Sequence, residues 1–173
     1  MVISPARRQA LQGLILAPGD LEATGTLREN RPEFRTLRDV WFEDVRVPAG
    51  FVTDKHSLPF VIKGFQPKHA RWAGPPILHD WLYETQIKTK IEADLLYWRA
   101  MRAIDVKMVH RIPAALAVLK FGRRGYGKVD ADNFELVNRV SGSKMMARSE
   151  DRLTRKLAYM ALGQAAQAAR GLL

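Results

Sequence analysis

Residues 79–94 read HDWLYETQIKTKIEAD and impose the tightest constraint on the fold. Thr89 and Glu92 have the Thr-x-x-Glu spacing of a capping box, which starts a helix near Lys90. Upstream, Pro75-Pro76 can open an earlier helix, because proline is tolerated in a first turn, and Ile77, Leu78 and Leu82 give it an apolar side. Two helices joined by so short a turn pack as an antiparallel pair. His79 and Tyr83, spaced i and i+4, share one face of the first helix, while Asp80 is rotated by roughly 100° toward other neighbours. Asp94 falls in the first turn of the second helix, where the helix dipole favours an ionised carboxylate.

The pattern therefore predicts that an imidazole, a phenol and two carboxylates converge. Asp94 can accept one N–H of His79 and fix its tautomer, leaving the other nitrogen as a base. Asp80 is expected to reach a loop beside the helix start. That set suits a metal-assisted hydrolytic site, with His79, Asp94 and Tyr83 as the catalytic group. It equally suits a satisfied core pair that serves folding alone.

The rest of the chain sets the architecture. Before residue 54 the pattern is β-rich. Leu14-Ile15-Leu16 is a short apolar run, Gly25 and Pro32 punctuate, and strand-like residues cluster around Val40-Trp41-Phe42. Val45 and Val47 alternate with Arg46, and Pro48-Ala49-Gly50 turns the chain before Phe51-Val52-Thr53. Asp54 ends this part as a turn or cap acceptor, or as a metal ligand. After the helix pair, Met108 to Phe121 is a third helix that Pro113 bends or restarts and Gly122 ends. His69 and His110 read as solvated or core-edge residues rather than ligands. The expected fold class is α+β: a small N-terminal antiparallel sheet, a helical layer with an antiparallel helix pair, and a C-terminal helical extension. The expected organisation is a domain over 1–125, a linker over 126–148 with a short helix around Phe134 to Arg139, and a helix over 149–173. That last helix ends alanine-rich, giving helix propensity but little burial, so it is read as a docking element.

Composition excludes several chemistries. The chain has no cysteine, which removes disulfides, thiolate metal sites and thiol nucleophiles and fits assembly in a bacterial cytoplasm. It has no apolar run long enough for a membrane span, and no convincing signal peptide, so the mature chain is expected to start near Met1. Residues 1–60 hold 8 Lys+Arg and 8 Asp+Glu, so the net charge of +10 lies entirely after Phe60. Such an excess favours nucleic acid, an anionic membrane surface or an acidic protein face, or is simply a solvated surface. Arg123-Arg124-Gly125-Tyr126-Gly127-Lys128 suits phosphate contact without forming a nucleic-acid motif.

The order Phe51-Val52-Thr53-Asp54, Ser57, Pro59, His79-Asp80-x-x-Tyr83, Ala93-Asp94 and Met101 resembles a phage and prophage family known only as a domain of unknown function. Its members look like V-P-x-G-F-x-T-D-x-x-S-x-P, L-H-D-x-L-Y and A-D-x-x-F-x-x-A-M, ending on Phe-Gly. Here that run spans Val47 to Gly122, and His56 stands where the family usually has a small residue. The H-D-x-x-Y helix followed by A-D is also similar to the core of phospholipases A2. That similarity implies His79 as the base that activates water, Asp80 as a calcium ligand, Asp94 as the carboxylate that orients His79, and Tyr83 as its brace.

Together these readings predict a virion-associated protein of a phage tail or neck, made in the host cytoplasm. It would partner other virion proteins and act on a host-envelope barrier, lipid ester or cell wall, with calcium or zinc at Asp80 and Asp54. The alternative is a purely structural assembly or connector protein. A nucleic-acid-binding accessory is a third reading.

Overall fold

The computed structural model describes residues 11–28, 31–54 and 72–141. Strand β1 (Leu21–Arg28) pairs antiparallel with β2 (Arg31–Thr36), and β2 pairs antiparallel with the short β5 (Val52–Thr53), giving the order β1-β2-β5. Strands β3 (Val40–Phe42) and β4 (Val45–Val47) form a separate hairpin with Val40 opposite Val47 and Phe42 opposite Val45. Alternation puts all four of these residues in the core and leaves Arg46 outside. Glu43, at φ 52°, makes the tight turn between them. The small antiparallel sheet is therefore present, followed by helices: the fold is α+β.

Two punctuation marks fall inside strands. Gly25 lies within β1 at φ 80°, where the register shifts between Ala23 and Leu27, so this glycine bulges the strand and does not end it. Pro32 lies within β2, opposite Leu27. The Leu14-Ile15-Leu16 run is not a strand: residues 11–14 are helical, and Leu14 and Leu16 are buried.

Helices α1 (Gly74–Thr85), α2 (Lys90–Ala103) and α3 (Met108–Phe121) follow. Helix α1 opens on Pro75-Pro76 and closes on Gln86 in the left-handed region. Its start lies hard against the chain before β1, where a Cβ on Gly74 would fall 2.1 Å from the carbonyl oxygen of Leu14. The predicted capping box opens α2: the Thr89 hydroxyl accepts from the Glu92 N–H, and the Glu92 carboxylate accepts from the Thr89 N–H at 2.8 Å. Pro113 does not restart α3, which runs unbroken through it. Proline removes the N–H that would bond the carbonyl of Val109, and Val109 is largely exposed, so water can donate to that carbonyl in its place.

The main core joins Leu14, Val40, Val47 and Phe51 to Ile77, Leu78, Trp81 and Leu82 of α1 and Leu96 and Ala100 of α2. Phe51 and Trp81 meet edge to face, with ring centroids 5.3 Å apart. A second cluster lies between α2 and α3 around Ile91, Tyr97, Met101, Ala115 and Val118. Of the stretch expected to be a linker, residues 126–141 are described and they pack onto the domain. A short 3-10 turn, Ala131–Asn133, leads into α4 (Phe134–Ser141); Asn133 is fully buried and Val137 joins the main core. The expected helix over 149–173 and the family-like residues His56, Ser57 and Pro59 lie outside the described residues, as does His69.

Candidate functional site

Helix α1 is buried on nearly all sides, so its polar side chains must find partners inside the protein. These side chains find their partners on different elements. Thr85 turns back on its own helix and donates to the carbonyl of Trp81 at 2.7 Å. Glu84 accepts from the Asn133 amide at 3.0 Å. Asp80, half-buried, accepts from the Thr53 hydroxyl at 2.6 Å. The rotation from His79 turns Asp80 toward the sheet, where it reaches β5; the loop just before the helix, to which the sequence also pointed it, lies outside the described residues.

His79 faces α2, as the spacing predicts. Its Nε2–H donates to Asp94 Oδ1 at 2.9 Å, and the Tyr83 hydroxyl donates to the same oxygen at 2.6 Å. The imidazole is stacked at a tilt against Tyr83, with centroids 4.0 Å apart, and against Tyr97 at 4.9 Å. His79, Tyr83 and Asp94 are thus brought together, and all three are buried.

Lys90 is the member that sequence reasoning missed. It is 3% exposed, and its ammonium donates to Asp94 Oδ2 at 2.5 Å and to the carbonyl of Val118 at 3.0 Å. Its i, i+4 spacing to Asp94 was visible, but that spacing ordinarily marks a surface pair. Here it ties α2 to α3 while the dyad ties α2 to α1. A lysine in the first turn of a helix opposes the dipole, and a buried ammonium needs a counter-charge; Asp94 answers both.

The electrostatics follow from these contacts. Burial alone pushes the Asp94 carboxyl up, but the His79 hydrogen bond and the adjacent Lys90 ammonium outweigh it and hold the group below its ordinary value. Burial, and then the Asp80 charge, push the Tyr97 hydroxyl well above the ordinary phenol range, so it stays neutral.

One atom of the cluster has no protein partner. His79 Nδ1 is out of contact with water and makes no hydrogen bond. In the neutral tautomer with its proton on Nε2 toward Asp94, Nδ1 would carry the basic lone pair. The indole nitrogen of Trp81 on the same helix is also unpartnered, but it is a donor only and has no basic lone pair.

Asp54 follows β5 directly and Asp80 bonds that strand's Thr53, so the two carboxylates lie at the same end of β5. Among the described residues no three His, Asp or Glu side chains are grouped to hold an ion. Calcium takes roughly six to eight oxygens, so an ion here would need ligands beyond these two carboxylates.

Fold and site together define an α+β domain organised on a buried histidine–carboxylate pair between two helices. Residues 33–118, just under half the chain, match the family model described as "Protein of unknown function (DUF1353)". Comparison with curated proteins and with solved structures gives no match. The matched stretch contains the whole His79–Tyr83–Lys90–Asp94 cluster and excludes Asn133 and Val137.

Proposed function

We propose that the chain is a phage- or prophage-derived, virion-associated protein of the tail or neck whose His79 acts as a general base on water, oriented by Asp94, to hydrolyse a bond of the host envelope. The observation that carries the reading is the unpartnered Nδ1 of His79 opposite an Nε2 fixed by a carboxylate. A purely structural network satisfies its acceptors; this one leaves its single basic atom open. In the reaction Nδ1 takes a proton from water as the oxygen attacks an ester or amide carbonyl. It then returns that proton to the leaving alcohol or amine, while Asp94 stabilises the transient imidazolium and Tyr83 holds Asp94. The ring is 2% exposed, so whatever covers Nδ1 must open to admit water.

The test uses wild type and His79→Ala on phospholipid vesicles and on purified cell wall, with particle co-sedimentation as a second readout. The expected result is turnover by wild type on one of the two substrates, reduced about 10²–10⁴-fold in the variant, with folding and particle association kept. Wild type inert on both, or a variant that matches it, ends the hydrolytic reading.

One observation favours the alternative of a structural connector: Lys90 already neutralises Asp94, as a folding device requires. On that reading His79→Ala instead lowers stability by about 1–3 kcal/mol, by leaving Asp94 short of a donor. The assignment of Asp80 and Asp54 to calcium or zinc has its own measurement. A bound ion raises the melting temperature by mass action, and Asp80→Asn removes the rise. A melting temperature indifferent to both ions removes the metal role and leaves Asp80 as a hydrogen-bond acceptor, for Thr53 among others.

A further inference from the structure

Between the end of α2 and the first turn of α3 lies a cleft of about 650 Å3 whose lining includes Arg99, Arg102, Asp105, Lys107, Met108 and Arg111. Its charges are not balanced. Arg99 is held by Glu43 through two 2.9 Å bonds from Nε and Nη2. Arg102, Lys107 and Arg111 make no ion pair among the described residues, and Asp105 is the one carboxylate in the lining.

Arg111 is fixed in place. Its guanidinium lies 4.5 Å from the centroid of the Trp98 ring, and its Nη2 faces Met108 Sδ. Its Nε is shut off from water yet has no acceptor. A sheltered N–H of a cation without an acceptor is costly, and an exposed, hydrated arginine has no such atom. Burial, and then the charge of Arg102, press the Arg111 pKa downward against the opposing charge of Asp105, which does not offset them; a bound anion would act in the same sense as Asp105. Helix α3 begins at the same place. Lys107 gives its start no side-chain cap, and no acidic residue lies in its first turn. Its leading N–H groups and positive dipole end therefore add to the cationic side chains.

We propose that this cleft is a binding site for a phosphate-type oxyanion, held by Arg111 and Arg102 with Lys107 at the rim. A tetrahedral oxyanion offers several acceptor oxygens at once, which suits an arginine fork together with helix N–H groups. The cleft is larger than a bare phosphate and within the range of small-molecule sites. Val106 and Met108 supply an apolar wall, so the oxyanion is the head of a larger molecule, either a soluble phosphorylated compound or an anionic lipid. The site is separate from the His79 cluster and does not rest on the hydrolytic reading.

The experiment titrates the full chain with inorganic phosphate at constant ionic strength, reading melting temperature and heat, with chloride as reference. Phosphate is expected to bind saturably and raise the melting temperature where chloride does not. Arg111→Gln and Arg102→Gln are each expected to weaken binding by about tenfold or more, the loss of one charge-assisted bond. Arg102 is exposed, so its variant carries the test if Arg111→Gln does not fold. Vesicles containing phosphatidic acid distinguish the two sources. Co-sedimentation that free phosphate competes away assigns the head group to lipid, and phosphate binding without co-sedimentation assigns it to a soluble compound. The proposal is overturned if phosphate does not saturate, if chloride matches it, or if the two arginine variants bind as wild type does. Binding of duplex DNA alone, with a steep salt dependence, also overturns it.

Discussion

Asp94→Ala is expected to remove about 3–5 kcal/mol of folding stability, the range for stripping one partner from a buried ion pair. Asp94 takes hydrogen bonds from His79, Tyr83 and Lys90, which reach it from two helices. Its removal leaves an ammonium buried with only the carbonyl of Val118. Small domains hold only about 5–15 kcal/mol in total, so the variant should show a sharply lower urea midpoint. Adding Lys90→Met to it removes the stranded charge and should recover part of the loss. A midpoint shift worth less than about 1 kcal/mol would show that the cluster does not hold the helices together.

The same carboxylate sets an acid limit. Its folded-state pKa lies below the ordinary value of 3.8, so its contribution is complete above that value and is lost as pH falls through the folded one. Wild type should therefore lose stability more steeply than Asp94→Ala on acidification below about pH 4. Equal acid slopes for the two proteins would contradict the depressed pKa.

Local signals were legible in the sequence wherever they were complete. The Thr89–Glu92 box and Pro75-Pro76 fixed both ends of the helix pair, and with them the meeting of His79 and Asp94. The Val40, Phe42, Val45 and Val47 alternation and the turn before Phe51 likewise mark real strands. Where context decides, local pattern misled. Gly25 and Pro32 look like strand breaks, yet a bulge absorbs one and an edge region of pairing accommodates the other. Gly122 does follow α3, but in ordinary right-handed geometry; a Cβ there would fall 2.3 Å from the Tyr83 hydroxyl, so close packing on the cluster requires the glycine. Lys90 was hidden because lysines are rarely buried, and nothing local says that this one is. The contacts of Asp80 with Thr53 and of Asn133 with Val52 bridge 27 and 81 residues, distances over which periodicity carries no information.

Asn133→Ala is expected to cost about 2–5 kcal/mol, because it strands several buried polar groups at once. β5 is an edge strand, and an open edge must be covered or paired. Asn133 does this with its side-chain amide. Its Oδ1 accepts from the Val52 N–H at 2.8 Å, and its Nδ2 donates to the Val52 carbonyl at 2.8 Å, as a neighbouring strand would. The same Nδ2 donates to Glu84, so the residue ties β5 to α1, the strand and helix that the Thr53–Asp80 bond also joins. Alanine leaves the N–H and carbonyl of Val52 unpaired and Glu84 without its amide. Denaturant unfolding measures the loss, and hydrogen exchange locates it at the Val52 amide, which should become far less protected in the variant. Asn133→Asp should be no better, since it sets a second carboxylate against Glu84. An unchanged midpoint with Val52 still protected would mean that β5 keeps its place without this residue. The expected loss has a consequence for the domain's limits. Asn133 lies beyond the stretch that matches the family, so the segment from Gly122 to Ser141 would be part of what holds the sheet against the helix bearing His79.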